Sequence, residues 1–222
     1  DVILTESAMR FVSPLSFRSV TGRPAYTDLW DLSDHVRHVG LGEAADLMLI
    51  APATANTMAK LATGMADNLL TVTALAARCP LILAPAMDGG MWDHPATQAN
   101  VQVLQNRGVM LAGPAAGRMA SGLEGMGRMV EPQELLGHAR LALSSGGLMA
   151  GRRVVVTAGP TREPIDPVRF LTNRSTGKQG IAVAQAALDA GASVTLIAGP
   201  ICEEIPFGAD VVQVETVEEM AQ

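Results

Sequence analysis

Residues 45–68 read ADLMLIAPATANTMAKLATGMADN, and this stretch decides the fold. Asp46 precedes an apolar run, Leu47-Met48-Leu49-Ile50-Ala51, as long as a strand buried on both faces, and the run ends at Pro52. Ala53-Thr54-Ala55-Asn56-Thr57 are small or hydroxylated, and beyond them Met58, Leu61, Ala62 and Met65 recur at helical spacing. The spacing predicts a buried strand, a tight polar turn and a helix N-terminus. In an open α/β sheet such a turn lies at the carboxyl edge, where helix N–H groups and short side chains can approach a flat or anionic ligand. An ordinary strand-to-helix connection that binds nothing would show the same spacing.

Composition agrees with a sheet packed by small aliphatic residues. The 222 residues are 48% hydrophobic, 17% charged and only 3% aromatic, which fits one large globular domain or two small ones. The net charge of -6 argues against non-specific nucleic-acid binding and gives no reason to expect a membrane surface. No uncharged apolar run reaches the roughly 20 residues that span a bilayer, and no signal-peptide pattern precedes the first strand, so a cytoplasmic location is expected. Cys79 and Cys202 are too few and too far apart for a disulfide framework or a zinc site, and read as apolar fillers.

On the N-terminal side, Asp1-Val2-Ile3-Leu4-Thr5 lies in a strand leading to a short helix over residues 7–12, with Thr5 placed as its N-cap. Pro14 and residues 13–21 interrupt the pattern. His35 and His38 share a helix face, but no Cys or carboxylate constellation completes a metal site around them. On the C-terminal side, residues 79–84 form another buried parallel strand ended by Pro85, His94-Pro95 opens a helix that stops at Gly108, and residues 109–112 form a short strand. Residues 113–129, GPAAGRMASGLEGMGRM, are Gly-rich and too long for a simple turn, which marks a functional or a disordered loop. Glu131-Pro132 begins a helix that runs to about Leu143, with its proline and acids favourably placed at the N-terminal end. Ser144-Ser145-Gly146-Gly147 then reads as a flexible joint and sets a domain boundary at residue 146.

Beyond the joint, a strand over residues 153–157, a helix over 177–190 and a strand over 193–198 give a βαβ unit of dinucleotide-binding type. Its loop, GPTREPIDPVRFLTNRSTGKQG over residues 159–180, contains no G-x-G-x-x-G, and Gln179 stands where a P-loop needs Ser or Thr. The loop concentrates Arg162, Glu163, Asp166, Arg169, Asn173, Arg174 and Lys178, a charge density suited to a phosphorylated ligand, although a solvated loop would also carry it. Residues 211–214 form a further strand, and Thr216-Val217-Glu218-Glu219 is a capping box opening a last helix.

The wording of residues 51–70, APATANTMAKLATGMADNLL, closely resembles the flavin-binding segment of the flavin-dependent cysteine decarboxylases. The match is closest to the bifunctional phosphopantothenoylcysteine decarboxylase / phosphopantothenate–cysteine ligases of coenzyme A biosynthesis. Motifs in both halves follow that family's order across nearly the whole chain. The resemblance implies an α/β protein: a flavodoxin-like/Rossmann-like parallel sheet domain over residues 1–146, whose first strand, phosphate turn and helix would precede residue 1, followed by the start of a second Rossmann-like domain over residues 147–222. It implies FMN as cofactor, with Thr5, Phe11, Pro52, Ala53, Thr54, Asn56 and Met87 around it. His38-Val39-Gly40-Leu41 matches the His-X-X-Leu position whose histidine is the acid/base, a role suited to imidazole with its pKa of about 6.5.

Two departures from the family pattern stand out. Pro85-Ala86-Met87-Asp88-Gly89-Gly90-Met91-Trp92 resembles Pro-X-Met-Asn-X-X-Met-Trp, with Asp88 in place of the asparagine whose amide holds the carboxylate that leaves. Two carboxylates side by side repel unless one is protonated, so substrate binding should suffer. Ser121 stands on the substrate-covering flap where the family has a cysteine that protonates the enethiolate, and a serine hydroxyl is a far weaker acid than a thiol of pKa about 8.5. The resemblance therefore implies a decarboxylase half that keeps His38 and is impaired at Asp88 and Ser121.

Residues 151–220 resemble the ligase half, which activates the phosphopantothenate carboxylate with CTP and Mg2+ before cysteine displaces CMP. Asn173 matches the asparagine associated with the acyl-cytidylate, and Arg169 an arginine of the same loop. The family's lysine-bearing loop and cytidine pocket would lie past residue 222, so this half is expected to be truncated. The implied partners are the small-molecule substrates phosphopantothenate, cysteine and phosphopantothenoylcysteine, together with further copies of the chain in a trimer-based homo-oligomer. The alternative is a non-catalytic flavin-binding assembly or regulatory protein of the same fold. A dehydrogenase is disfavoured by the missing glycine fingerprint.

Overall fold

The apolar runs become short strands, most of them parallel, in two units over residues 1–131 and 132–222. The computed structural model describes residues 1–30, 37–118 and 121–222, with Arg37 and His38 described in backbone only. Among the described residues no helix is long and apolar enough to cross a membrane.

The first unit contains, in chain order, β1 (Val2–Ile3), α1 (Glu6–Met9), α2 (Pro14–Thr21), β2 (Ala25–Tyr26), α3 (Arg37–Ala44), β3 (Met48–Ala53), α4 (Ala55–Thr63), α5 (Leu69–Ala76), β4 (Leu81–Pro85), α6 (Gly89–Trp92), α7 (Pro95–Asn106), β5 (Met110–Leu111), β6 (Ala115–Arg118) and β7 (Glu124–Arg128). β3, β4 and β5 form a parallel sheet in that order, with Met48 opposite Leu81 and Ile82 opposite Met110. β1 and β2 form a separate parallel pair, and β6 and β7 an antiparallel hairpin with Arg118 opposite Glu124. Ile50, Ala53, Met58, Ala62, Leu83, Val101 and Leu104 make the core between this sheet, α4 and α7. Removing a side chain such as Met58 or Leu83 fully from water contributes about 2–3 kcal/mol.

Three local features differ from the sequence expectation. β3 continues through Pro52, because after a register shift Ala53 comes opposite Pro85 and its carbonyl accepts from the Ala86 N–H at 3.0 Å. Residues 14–21 are helical rather than interrupted. Ser13 caps the helix by accepting from the Leu15 N–H at 3.1 Å, and Pro14 occupies the first turn, where a missing N–H costs nothing. The helix after Thr54 is two helices: Gly64 closes α4 at φ +73, and Asn68 opens α5 with a capping box shared with Thr71.

The second unit contains α8 (Pro132–Ser144), β8 (Arg153–Ala158), β9 (Glu163–Pro164), β10 (Phe170–Leu171), α9 (Lys178–Asp189), β11 (Ser193–Ala198), β12 (Asp210–Gln213) and α10 (Val217–Ala221). Its parallel sheet has the order β12-β11-β8, with Ser193 opposite Arg153, and β9 and β10 form an antiparallel pair. Val156, Ala158, Ala184, Leu188, Val194 and Leu196 form the core, with Leu141 of α8 packed against it. By contacts the chain divides at residue 131, so α8 counts with the second unit and precedes the joint expected at residue 146. Residues 144–150 are a hydrogen-bonded turn inside the second unit, where the Met149 N–H donates to the Ala190 carbonyl at 2.8 Å. Gly147 and Gly191 allow this close approach of the turn to the end of α9.

Candidate functional site

The carboxyl ends of β3 and β4 carry the first unit's candidate site. Thr54 has extended backbone and caps α4, its Oγ1 accepting from the Thr57 N–H at 3.3 Å and lying 3.1 Å from Thr57 Oγ1. Ala53 is buried behind this turn, whereas Pro52, Thr54 and Asn56 are exposed on it and Met87 is half-buried beyond β4. The edge thus offers small residues that do not block a planar ring, with hydroxyl and amide groups and a helix N-terminus beside them. That donor set fits the carbonyl and nitrogen rim of a flavin.

The hairpin β6–β7 is tied to the same edge. The Met87 N–H donates to the Gly127 carbonyl at 2.9 Å, and β7 packs against α6. Asp88 is the N-cap of α6: its Oδ1 accepts from the Gly90 N–H at 3.1 Å, and its Oδ2 accepts from the Ser121 hydroxyl at 2.6 Å. The Ser121 hydroxyl and then the Gly90 N–H hold the Asp88 carboxyl below the usual carboxylate range, against a smaller opposing effect of desolvation. The two positions at which the sequence departs from the family pattern are therefore one hydrogen-bonded pair.

Other expected site residues are placed separately. Thr5 caps α1, accepting from the Ala8 N–H at 3.2 Å, and Phe11 is 92% exposed beyond that helix. Both belong to the segment following β1, which pairs with β2. His38 lies on α3, which packs against α5, but its side chain lies outside the described residues, as does the whole of His35. Gly42, one turn further along α3, sits so close to α5 that a Cβ there would lie 3.0 Å from both the Thr73 carbonyl oxygen and the Ala77 nitrogen.

In the second unit, the loop between β8 and α9 is folded on itself. Asp166 Oδ1 accepts from the N–H groups of Val168 and Arg169, and Oδ2 accepts from Arg169 Nε at 2.6 Å. Those donors hold the Asp166 carboxyl below its usual range, with the Val168 N–H contributing most. Asn173 Oδ1 accepts from the Ser175 N–H at 2.8 Å, and the Arg162 guanidinium lies 4.9 Å from the centre of the Phe170 ring. Gly177, at φ +83, begins α9 with no side-chain cap. A cavity of about 690 Å³ opens at the ends of β11 and β12, lined by Arg162, Pro200, Ile201, Glu203, Gln213 and Glu219 among others.

The sequence reading missed the pairing of Asp88 with Ser121; its one signal was that both depart from the family pattern together. It also missed the ion pair of Lys60 with Asp67 at 2.6 Å, which closes the turn between α4 and α5.

Known proteins resemble this chain in sequence and fold. The flavoprotein family model matches residues 1–140, and that of the DNA/pantothenate metabolism flavoprotein C-terminal domain matches residues 149–222. The coenzyme A biosynthesis bifunctional protein CoaBC of Mycobacterium tuberculosis (strain ATCC 25618 / H37Rv) is 49% identical over 225 residues, covering 99% of this chain and 54% of that protein. The CoaBC protein of Bacillus subtilis (strain 168) is 45% identical over 226 residues, covering 100% of this chain and 56% of that protein. The chain thus spans about half the length of the curated relatives it matches. Among solved structures, a cysteine-to-serine mutant of PPC decarboxylase complexed with pantothenoylaminoethenethiol is similar with a TM-score of 0.57 and 37% identity, over 63% of this chain and 80% of that one. The FMN binding protein AtHal3 is similar with a TM-score of 0.53 and 34% identity, over 63% of this chain and 78% of that one. A matched family model over residues 1–140, on a parallel sheet whose carboxyl edge suits a flavin, places this chain in the flavoprotein family.

Proposed function

We propose that the first unit is an FMN-dependent decarboxylase of 4'-phosphopantothenoylcysteine, and that the second unit begins a CTP- and Mg2+-dependent ligase joining 4'-phosphopantothenate to cysteine, both in coenzyme A biosynthesis. The observation that carries the reading is the convergence of Pro52–Asn56, Met87, Asp88 and Ser121 on one sheet edge from three separate stretches of sequence. The turn after β3 holds the flavin ring, and His38 exchanges protons with the substrate thiol. Asp88 and Ser121 meet the carboxylate that leaves and the carbon that loses it. Bound FMN supplies a two-electron acceptor that returns the electrons before product leaves. Arg169 and Asn173 serve the acyl-cytidylate in the second unit. Cytoplasmic location and a trimer-based homo-oligomer, with substrates as the small-molecule partners, belong to the same reading.

The expected impairment treats Asp88 and Ser121 singly, whereas the two are bonded to each other at 2.6 Å. The test is to purify the full-length protein, record its visible spectrum and assay the two reactions separately. An oxidised-flavin spectrum with carbon dioxide release from phosphopantothenoylcysteine supports the reading. A flavin spectrum with neither reaction favours the non-catalytic flavoprotein.

A further inference from the structure

Decarboxylation consumes a proton: the bond from carbon to carboxylate breaks, carbon dioxide leaves, and the carbon that held it takes up one proton. FMN, when bound, would lend and recover the two electrons involved, so the net reaction needs no external oxidant or reductant. Within the first unit the one cysteine, Cys79, precedes β4 and so lies at the amino end of the sheet, at the opposite end of that strand from Asp88. Ser121 cannot act alone, since a serine hydroxyl is too weak an acid.

We infer that Asp88, held by Ser121, is the acid that delivers this proton, charged with it when the substrate carboxylate binds beside it. The inference rests on the reading above, which seats the departing carboxylate at Asp88. In the free protein the carboxyl is kept ionised by its bonds from Ser121 Oγ and the Gly90 N–H. Two carboxylates brought together share a proton, because they cannot both remain ionised at short range. Substrate binding therefore loads Asp88 with a proton from solvent. Loss of carbon dioxide removes the second carboxylate, the bond from Ser121 again favours ionised Asp88, and the proton passes to the adjacent carbon. Ser121 is a positioning residue in this scheme, and its freely rotating hydroxyl can serve both states of Asp88.

Among the described residues no other group in the surrounding elements competes for the role, and His38, whose side chain lies outside them, serves the substrate thiol in the reading above. The charged or titratable groups there are Arg118 of β6, Glu124 and Arg128 of β7, and Asp93 and His94 after α6. Arg128 is paired with Glu131, and His94 Nδ1 accepts from the Ala96 N–H at 3.1 Å. Among the described residues none of them forms an ion pair with Asp88.

The experiment measures protons, not turnover. The flavin-loaded full chain is titrated calorimetrically, in buffers of different ionisation enthalpy at neutral pH, with the unreactive S-methyl thioether of phosphopantothenoylcysteine and with its counterpart lacking the carboxylate. The carboxylate ligand should take up about one proton and the other none. A protonated-carboxyl carbonyl band should appear in the infrared difference spectrum of the first complex. Asp88→Asn should abolish uptake and band, and lower turnover about 100-fold or more. Asp88→Asn combined with Ser121→Cys should restore turnover without the band. Binding of the carboxylate ligand without proton uptake, or uptake that persists in Asp88→Asn, overturns the inference and leaves the decarboxylase reading standing. If neither ligand binds, the decarboxylase reading fails and the inference with it.

Discussion

The two units build the same edge in opposite ways. At the ends of β3 and β4 the helix starts are closed by their own side chains: Thr54 caps α4 and Asp88 caps α6. At the end of β8 the start of α9 has no cap from Gly177 itself, the Lys178 N–H being met at 3.4 Å by the Thr176 hydroxyl, and the charges are displaced onto a long loop. A capped start has one N–H donor already engaged, so the first edge suits a neutral, planar ligand held by a few directional bonds. A start whose cap position is a glycine leaves no side chain over the next N–H groups, and those donors with the positive end of the helix dipole face an anion directly. Common topology thus leaves ligand class to the capping residue and the turn length.

The comparison breaks first at glycines, where the second edge depends on backbone contact. Gly180 lies in the first turn of α9, and a Cβ there would fall 2.6 Å from both the Ala158 Cβ and the Thr157 carbonyl oxygen. Gly180→Ala should therefore cost about 3 kcal/mol, measured by urea unfolding followed by circular dichroism. Were α9 not seated on β8, the same change would be stabilising, as glycine-to-alanine usually is within a helix. At the first edge Thr54→Ala removes the cap without a clash and should cost about 1 kcal/mol, with a parallel loss of FMN affinity in a fluorescence titration. A larger cost at Thr54 than at Gly180 would invert the contrast.

How far the sequence reached follows the same division. The strand, turn and helix of residues 47–63 were legible because Leu47–Ala51 is continuous apolar chain and Thr54 is a good cap, both local signals. The helix Pro14–Thr21 was hidden because Pro14 reads as a breaker when, placed after Ser13, it is a starter. The break between α4 and α5 was hidden because Met65 happens to continue the apolar period past Gly64. The charges of residues 159–180 were legible as charges but not as partners: Asp166 and Arg169 engage each other, which only the folded loop reveals. Asp88 and Ser121 are 33 residues apart, and their bond depends on how a hairpin packs, for which no local pattern exists. The placement of His38 as acid/base came from resemblance alone.

Behind the first edge, α5 supplies a smaller test. Thr73 is buried on it, and among the described residues its Oγ1 has no hydrogen-bond partner. Replacing that hydroxyl by a methyl removes an unsatisfied polar group at almost constant volume. Thr73→Val should stabilise the protein by about 0.5–1 kcal/mol in the same unfolding assay. A destabilisation of that size would mean that the hydroxyl finds a partner in solution.

The smallest effect concerns the turn that joins α4 to α5. Lys60 Nζ lies 2.6 Å from Asp67 Oδ2, with the lysine side chain 21% exposed and the aspartate 46%. The bond from Lys60 is the main influence holding the Asp67 carboxyl below its usual value, and desolvation opposes it. A carboxyl whose folded pKa is depressed contributes stability that is present above its unfolded value and lost as pH falls through the folded one. The wild-type urea midpoint should therefore decline more steeply than that of Lys60→Met, which lacks the cation, as pH falls below about 5, and the two should run parallel from there up to neutrality. Solvent screens a pair this exposed, so the difference should shrink in high salt. Equal pH dependence in the two proteins would show that Asn68 and Thr71 hold the turn without the ion pair, leaving the first edge supported by capping alone.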